Sequence, residues 1–262
     1  MIKTIRALIA AALCLLFFSA QAAEGNVGIV LLHGKWDRQP TSVMKLAGQL
    51  EDAGYKVATP MMPWSFQRQY DVPYAKALVE IEAAAQSLRD RYRVSQIVIA
   101  GQSIGANAAL AYAASGRLVD AIVVLAPGHT PQSNVFRKRL EPSVTKAKEM
   151  IDSGAGSDSA SFDDLNQGQL RSVRTSAEAY FSYLDPEGLG NMPKTAAAIA
   201  TPIPIFMAVG AGDPIAAVAE ESIFKHAPKH DKSVYMSMSG GHMEVPNVIG
   251  SALVDWLRSL GF

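Results

Sequence analysis

Three residues of this chain have the types and the order needed for nucleophilic catalysis by a serine. Ser103 is the centre of the pentapeptide Gly101–Gly105, Gly-Gln-Ser-Ile-Gly. Asp213 and His242 follow it along the chain, each just after an apolar run. A serine hydroxyl is a weak nucleophile at neutral pH, so it needs a general base, and the base needs an acidic residue to orient it. Ser103, His242 and Asp213 could fill these three roles.

The sequence around Ser103 predicts a sharp turn between a strand and a helix. The apolar run Gln96–Ala100 precedes the pentapeptide, and the alanine-rich segment Ala106–Ser115 follows it. Two glycines leave room for a tight turn that strains the serine backbone and presents its hydroxyl at the N-terminus of the helix. The five letters alone also occur by chance. Their position between a strand and a helix is what indicates a nucleophile elbow.

The two partner residues also have ordinary structural interpretations. Asp213 is followed by a proline and could start a turn or cap a helix, and His242 could be a simple loop histidine. Both, however, follow predicted strands, Ile203–Gly210 and Lys232–Met238. Because the carboxyl ends of parallel strands lie at one edge of a sheet, Ser103, Asp213 and His242 are expected to converge there.

A second group of residues could stabilise the negative charge that develops on a carbonyl oxygen during acyl transfer. An oxyanion hole of this kind needs two backbone N–H donors. We expect one from Ile104, next to the candidate nucleophile, and one from the loop after His33-Gly34, where Lys35 is favoured and Trp36 is the alternative. The His33 ring could simply end its strand, and it is expected to hold the loop through hydrogen bonds rather than to transfer protons.

Three residues are candidate substrate contacts, His33, Trp64 and His129. His129 could face the pocket from the entrance of the insert or equally lie in a solvent-exposed loop. Trp64 belongs to a wider set of large side chains that, if they line the cleft, would suit uncharged, moderately apolar acyl groups. The alternative for each member of this set is packing of the insert against the sheet. The wider set contains Trp36, Met61, Met62, Trp64, Phe66, Tyr180 and Phe181.

The elements that would position these residues alternate between strands and amphipathic helices, which is typical of an α/β fold around a mostly parallel sheet. The alternation stops near Gly128. Residues 129–200 lack a strand signal but contain two helical patterns, Ser143–Ser153 and Gln167–Leu184. We therefore expect one domain, residues 23–262, in which residues 129–200 form a helical cap. The six predicted strands are Val27–Leu32, Lys56–Thr59, Gln96–Ala100, Ala121–Leu125, Ile203–Gly210 and Lys232–Met238.

Residues 1–22 have the features of a cleavable signal peptide. Two basic residues precede the apolar core Ala7–Phe18, and residues 20–22, Ala-Gln-Ala, suit cleavage. The apolar core is too short to serve comfortably as a membrane anchor, so no stable anchor is expected. Cys14, the only cysteine, lies in this segment. The mature chain would then have no cysteine nucleophile or disulfide, and its expected location is the periplasm or the external medium.

Charge and histidine spacing exclude several other classes of function. The 262 residues include 24 basic and 24 acidic side chains without a charged block, so neither nucleic acid nor an anionic membrane surface is expected as a partner. His226 and His230 are four residues apart, but Pro228 between them breaks the helical face that a two-histidine metal site needs. We expect no metal and no other cofactor.

On these motifs the chain resembles the α/β-hydrolase superfamily. The resemblance extends from Val27 to Leu260 and rests on His33-Gly34, the pentapeptide around Ser103, Asp213 and His242. It implies a three-layer α/β-hydrolase fold in which Ser103 is the nucleophile, His242 the base and Asp213 its partner. Many members carry an antiparallel strand pair before the first strand found here. The short segment before Val27 therefore implies a reduced, mostly parallel sheet of about six strands.

The expected activity is that of an exported serine hydrolase of the carboxylesterase type, acting on a small-molecule ester through an acyl-enzyme. A serine nucleophile argues against the haloalkane dehalogenases and epoxide hydrolases of the superfamily, which use aspartate. Export argues against cytoplasmic acyl-coenzyme A thioesters. A peptidase, amidase or acyltransferase with the same triad stays open. A non-catalytic binding protein is also an alternative, although such proteins typically lack a triad member.

Overall fold

The computed structural model describes residues 26–262, so the predicted signal peptide lies outside the described residues. Six of the strands form one sheet in which every pairing is parallel, and this confirms the predicted sheet. The described chain contains eight strands, β1 (Val27–Leu32), β2 (Lys56–Ala58), β3 (Gln96–Ser103), β4 (Ala121–Pro127), β5 (Ser159–Asn166), β6 (Gln169–Ser176), β7 (Ile205–Gly210) and β8 (Val234–Met238). The order across the sheet is β2-β1-β3-β4-β7-β8.

Helices cover both faces of this sheet and make the fold three-layered. The helices of the described chain are α1 (Thr41–Asp52), α2 (Tyr74–Tyr92), α3 (Ile104–Ala114), α4 (Asn134–Asp152), α5 (Ala177–Leu184), α6 (Met192–Ala197), α7 (Ala219–Ser222), α8 (Val245–Val248) and α9 (Gly250–Ser259). Apolar side chains of α2 and α3 pack on one face, and those of α1 and α9 pack on the other. Between residues 26 and 262, no helix is long and apolar enough to cross a membrane.

The sequence of the inner strands and of α3 explains this arrangement. Strands β1, β4 and β7 are buried along their whole length, as expected of apolar strands covered by helices on both faces. Helix α3 is buried from Ile104 to Ala113 and consists mostly of alanine. Small side chains let this helix lie close to the sheet directly behind the end of β3.

The inserted segment, residues 129–200, is not purely helical, and on this point the sequence prediction was wrong. Between α4 and α5 the chain forms an antiparallel hairpin of β5 and β6, which pairs Ser159 with Ser176 and Asn166 with Gln169. The helix predicted from Gln167 to Leu184 begins only at Ala177. The cap is therefore a mixed insert of two longer helices, one hairpin and the short helix α6.

The hairpin turn explains why helical spacing misled the prediction. Gln167 and Gly168 both have left-handed backbones, with φ of 48° and 79°, as a tight two-residue hairpin turn requires. Leu170 and Val173 fit a helical stripe, but in the strand Val173 faces inward while Leu170 is 46% exposed. The serines, aspartates and arginines of both strands have weak β propensity, so cross-strand pairing and burial determine this conformation.

Aromatic packing attaches the hairpin and α5 to the rest of the molecule. Phe162 of β5 stacks on Tyr180 of α5, with ring centroids 4.5 Å apart. Tyr183 of α5 stacks on Tyr74 of α2 at 4.7 Å. These cap residues belong to the same apolar cluster as the buried faces of α2 and α3. The cap thus covers the end of the sheet from one side.

Candidate active site

Ser103 occupies the sharp turn that the sequence predicted between β3 and α3. Its backbone is strained, with φ of 57° and ψ of −118°, outside the regions that a serine prefers. Gly105 allows the turn because a Cβ there would lie 2.5 Å from the backbone oxygen of Leu32. The side chain of Ser103 is mostly buried but lines a cavity at the carboxyl edge of the sheet.

Asp213 and His242 are joined by a short hydrogen bond at the same edge. His242 Nδ1 lies 2.6 Å from Asp213 Oδ2, and the other carboxylate oxygen accepts from the N–H of Ile215 at 3.1 Å. The loops after β7 and β8 are tied together by the N–H of Gly212, which donates to Gly240 O at 2.9 Å. With its proton on Nδ1, the His242 ring leaves Nε2 able to accept a proton.

Ser103 and His242 face each other across Gly128, which follows β4. A Cβ built on Gly128 would lie 2.9 Å from Ser103 Oγ and 3.2 Å from His242 Nε2. Within residues 26–262, no hydrogen bond joins Ser103 Oγ to the imidazole. Nucleophile and base are therefore neighbours, at the looser spacing that is common before substrate binds.

Two backbone N–H groups next to Ser103 remain available for an oxyanion. Ile104 is the first residue of α3, so its N–H has no acceptor within the helix. The N–H of Lys35 makes no hydrogen bond in the described part of the chain, and Lys35 lines the cavity together with Ser103. The N–H of the alternative donor, Trp36, already donates to the backbone oxygen of Trp64 at 3.0 Å, and this favours Lys35.

His33 and Trp64 hold the loop after β1 and do not line the cavity, so the expectation that they contact substrate is not supported. His33 Nε2 accepts from the N–H of Met62 at 3.0 Å, and its Nδ1 then donates to Gly34 O at 2.7 Å. Burial lowers the pKa of His33, while the Gly34 carbonyl and Asp37 oppose this shift. Trp64 Nε1 donates to His33 O at 2.8 Å. Both side chains are fully buried.

His129 is part of the cavity wall but is also tied to the cap. Its Nε2 donates to the Tyr183 backbone oxygen at 2.7 Å, and its carbonyl accepts from Asn107 at 3.1 Å. Burial, with a further contribution from the charge of Lys35, lowers the pKa of His129 to about 3. The ring is therefore neutral at physiological pH, and its main contacts fix the loop between β4 and the cap.

The cavity in front of Ser103 has a volume of about 540 Å³. The cap provides much of its wall, and none of the large side chains expected from the second-strand loop or from Tyr180 and Phe181 is among its lining residues. The contributions that the sequence analysis missed come from the start of α4 and from the hairpin. They are Val135, Phe136, Leu165, Asn166, Gln167 and Gly168.

A buried ion pair connects the cap hairpin to the loop that carries Lys35. Lys35 Nζ lies 2.7 Å from Asp164 Oδ1 and 3.0 Å from the carbonyl oxygen of Leu165. Trp36 Nε1 and Tyr70 Oη donate to the second oxygen of Asp164 at 2.8 and 2.7 Å. Burial lowers the pKa of the Lys35 ammonium, and the Asp164 carboxylate opposes that shift. The sequence did not predict this ion pair, because Lys35 and Asp164 are 129 residues apart and no local pattern connects them.

Comparison with solved structures identifies this architecture. A carboxyl esterase from Bacillus coagulans is 12% identical, with a TM-score of 0.65 over 92% of each chain. The monoacylglycerol lipase of Paleococcus ferrophilus is 20% identical, with a TM-score of 0.64 over 88% of this chain and 94% of the lipase. A thioesterase domain from the curacin biosynthetic pathway is 16% identical, with a TM-score of 0.53 over 90% of this chain and 92% of that domain. The chain has the α/β-hydrolase fold.

At these identities the likeness establishes the α/β-hydrolase fold alone. No protein-family model and no curated protein sequence matches the chain. In this sheet the elbow follows β3, and Asp213 and His242 follow β7 and β8, the outer two of the three strands on one side of β3. The activity must therefore be argued from the site itself.

Proposed function

We propose that the protein is an exported serine hydrolase that cleaves carboxylic esters through a Ser103–His242–Asp213 triad. The observation that carries the proposal is the 2.6 Å contact between His242 Nδ1 and Asp213 Oδ2 beside a serine in a strained elbow. Strained backbones and oriented histidine–carboxylate pairs are characteristic of serine hydrolase sites. The esterase and lipase among the similar structures support the same class of reaction.

In the proposed reaction, Ser103 Oγ attacks the ester carbonyl while His242 Nε2 takes its proton. The backbone N–H groups of Ile104 and Lys35 donate hydrogen bonds to the carbonyl oxygen as its negative charge develops. His242 then gives its proton to the departing alcohol, which leaves an acyl group on Ser103. Water, activated by the same imidazole, releases the acid and restores the serine. Asp213 keeps the histidine in the required tautomer throughout.

The chemistry of the cavity favours an uncharged ester over a peptide. Among the described residues that line it, Asp213 is the only carboxylate, and it is engaged by His242. Lys35, the one lysine of the wall, is neutralised by Asp164. A peptidase that grips a substrate amine needs a free acidic group, which this lining does not offer. Val135, Phe136, Leu165 and Ile215 supply apolar surface for an acyl or alcohol group.

The direct test is covalent labelling of the nucleophile. A fluorophosphonate probe should label the purified protein at Ser103, and the protein should hydrolyse short-chain nitrophenyl esters. The Ser103→Ala variant should lose both properties, whereas Ser87→Ala, at an exposed serine of α2 outside the cavity wall, should keep them. Labelling that persists in Ser103→Ala would refute the assignment. A panel of esters, amides and thioesters graded by acyl length would then define the substrate class.

Export has its own test. The full chain, produced in a Gram-negative host, should be recovered from the periplasm or the medium with an N-terminus at residue 23, as measured by intact mass. A product that keeps residues 1–22 and stays in the cytoplasm would contradict the export proposal. The esterase proposal would be unaffected by that result.

A further inference from the structure

The loop that presents the Lys35 N–H is held by the cap hairpin as well as by His33 and Trp64. Residues Asp164 to Asn166 of β5 contact it at successive positions. Asp164 binds Lys35 Nζ and Trp36 Nε1, the Leu165 carbonyl accepts from Lys35 Nζ, and Asn166 Nδ2 donates to Lys35 O at 3.4 Å. One short stretch of the hairpin therefore fixes both the side chain and the backbone of Lys35.

The two candidate oxyanion donors thus differ in what supports them. Ile104 begins α3 and is positioned by the elbow and by the buried contacts of that helix. Lys35 lies in an irregular loop beside Trp36, whose φ of 64° is a conformation that a tryptophan rarely adopts alone. A left-handed residue of this size persists only where its surroundings enforce it. The hydrogen bonds from the Trp36 indole and the Lys35 ammonium to Asp164 help to hold Trp36 in this backbone conformation.

We propose that Asp164 is a positioning residue for the oxyanion hole, through which the cap hairpin sets the orientation of the Lys35 N–H. The inference rests on the proposed function, since it assigns a role to a cap residue in that same reaction. Asp164 is not among the residues that line the cavity. Its carboxylate is fully buried and engages three side chains, those of Lys35, Trp36 and Tyr70.

An ion pair that only stabilises the fold is the competing explanation, and the chemistry of burial weakens it. Two buried charges lose their hydration, so a buried pair often contributes no more to stability than apolar residues of similar size. Such a pair does specify one geometry. Here that geometry includes the backbone of Lys35, which lines the cavity with Ser103 and whose N–H makes no hydrogen bond in the described part of the chain.

The test compares Asp164→Asn with Asp163→Asn, the same change at the neighbouring exposed carboxylate. In Asp164→Asn, kcat for a nitrophenyl ester should fall about 10- to 100-fold while KM changes less than about threefold, since one oxyanion donor is displaced. The Ki of an alkyl trifluoromethyl ketone should rise by the same factor as kcat/KM falls. The rate constant for fluorophosphonate labelling of Ser103 should drop in parallel. Asp163→Asn should match the wild type in all four measurements.

A second variant allows the same test if Asp164→Asn does not fold. Lys35→Met/Tyr70→Phe/Asp164→Leu removes the buried charges and the hydroxyl together, so it should fold while lacking the polar contact to the loop. Its labelling rate should stay at least about tenfold below the wild type, because the loop is no longer fixed. A wild-type labelling rate in a folded variant of either kind would overturn the inference.

The outcomes separate this inference from the proposed function. If Ser103 is labelled but no ester is hydrolysed, the esterase proposal fails and the labelling rates still test Asp164. If esters are hydrolysed through Ser103 and Asp164→Asn behaves as wild type, only the role of Asp164 fails. A wild-type protein that no fluorophosphonate labels at Ser103 would refute both.

Discussion

The sheet edge and the cap hairpin both contribute to the site, but they are built on different principles. Ser103 ends a strand whose neighbours are buried on both faces, and the loops of Asp213 and His242 follow strands of the same sheet. The hairpin has a polar outer face, and its buried residues Asp164 and Leu165 contact Lys35 beside the cavity. Backbone pairing thus positions the triad, whereas side-chain contacts position the cap.

This difference predicts two kinds of mutational effect. Changes at the sheet edge should remove the chemistry for every substrate, because they alter the nucleophile or its base. Changes in the cap should alter which substrates react, or how well the loop donor is aligned. The predictions below test this separation, beginning with the largest effect.

Replacing Asp213 should have the largest effect without unfolding the protein. Asp213→Asn keeps the shape of the side chain but favours the wrong tautomer of His242, so kcat should fall about 10⁴-fold. Steady-state kinetics would measure this, and circular dichroism should show an unchanged fold. Asp231→Asn, an exposed aspartate in the loop before β8, is the matched control and should retain full activity. Near wild-type turnover in Asp213→Asn would mean that another carboxylate orients the base.

A methyl group at position 128 should separate the nucleophile from the base. The Cβ of Gly128→Ala would lie 2.6 Å from His242 Cε1 and 2.9 Å from Ser103 Oγ, so one of the two side chains must move. Displacements of this size cost about 10²-fold in rate. The effect should be equal for short and long acyl chains, as measured by kcat/KM across an ester series.

The control for this change is Gly48→Ala, because a Cβ there meets no atom within 4 Å. It lies inside α1, so the variant should keep wild-type activity and gain up to about 1 kcal/mol in the free energy of unfolding. An active Gly128→Ala enzyme would show that the gap between Ser103 and His242 is wider during catalysis than in this structure.

A substitution in the cap wall should change selectivity and leave the chemistry intact. Phe136 lines the cavity from the start of α4, so Phe136→Ala lengthens the space available to the substrate. The kcat/KM ratio of long to short acyl esters should shift about tenfold toward the longer chains. Leu170→Ala removes an exposed apolar side chain of the hairpin that does not line the cavity, and it should leave the ratio unchanged. An equal loss for all chain lengths in Phe136→Ala would contradict the proposed division of roles.

The same division explains how far the sequence could predict this structure. The strands that precede Ser103, Asp213 and His242 are apolar runs, so local patterns were enough to predict these strands and to place the three residues after their carboxyl ends. The Gln167-Gly168 dipeptide is compatible with a hairpin turn, but the spacing of Leu170 and Val173 also fits a helix, and the prediction followed that spacing. The pairing of Lys35 with Asp164 left no local pattern at all.

Two of the three candidate substrate contacts, His33 and Trp64, do not line the cavity, and the physical reason is related. Trp64 and His33 were chosen because large or polar side chains near a site often contact ligand. In the structure each side chain makes a hydrogen bond to a backbone group. Trp64 Nε1 donates to His33 O, and His33 Nε2 accepts from the N–H of Met62. A buried polar atom finds its partner in three dimensions, so its role follows from the fold and not from residue type.

The smallest predicted effect concerns His129, at the junction of the sheet edge and the cap. Its pKa is lowered to about 3, first by burial and then by the charge of Lys35, with Asp164 opposing. The usual value in an unfolded chain is about 6.5. Between these two pH values the unfolded chain binds a proton at His129 that the folded chain does not. Lowering the pH through this range therefore favours unfolding.

Denaturant unfolding from pH 7 to pH 4 should reveal this linkage as a difference between the wild type and His129→Gln. The wild type should lose up to about 1.4 kcal/mol of unfolding free energy per pH unit more than the variant, because one additional proton is taken up. The matched control is His226→Gln, at an exposed histidine outside the cap. Parallel slopes for wild type and His129→Gln would show that this histidine is protonated in the folded protein, and that the junction between sheet edge and cap is more open to solvent than its buried contacts indicate.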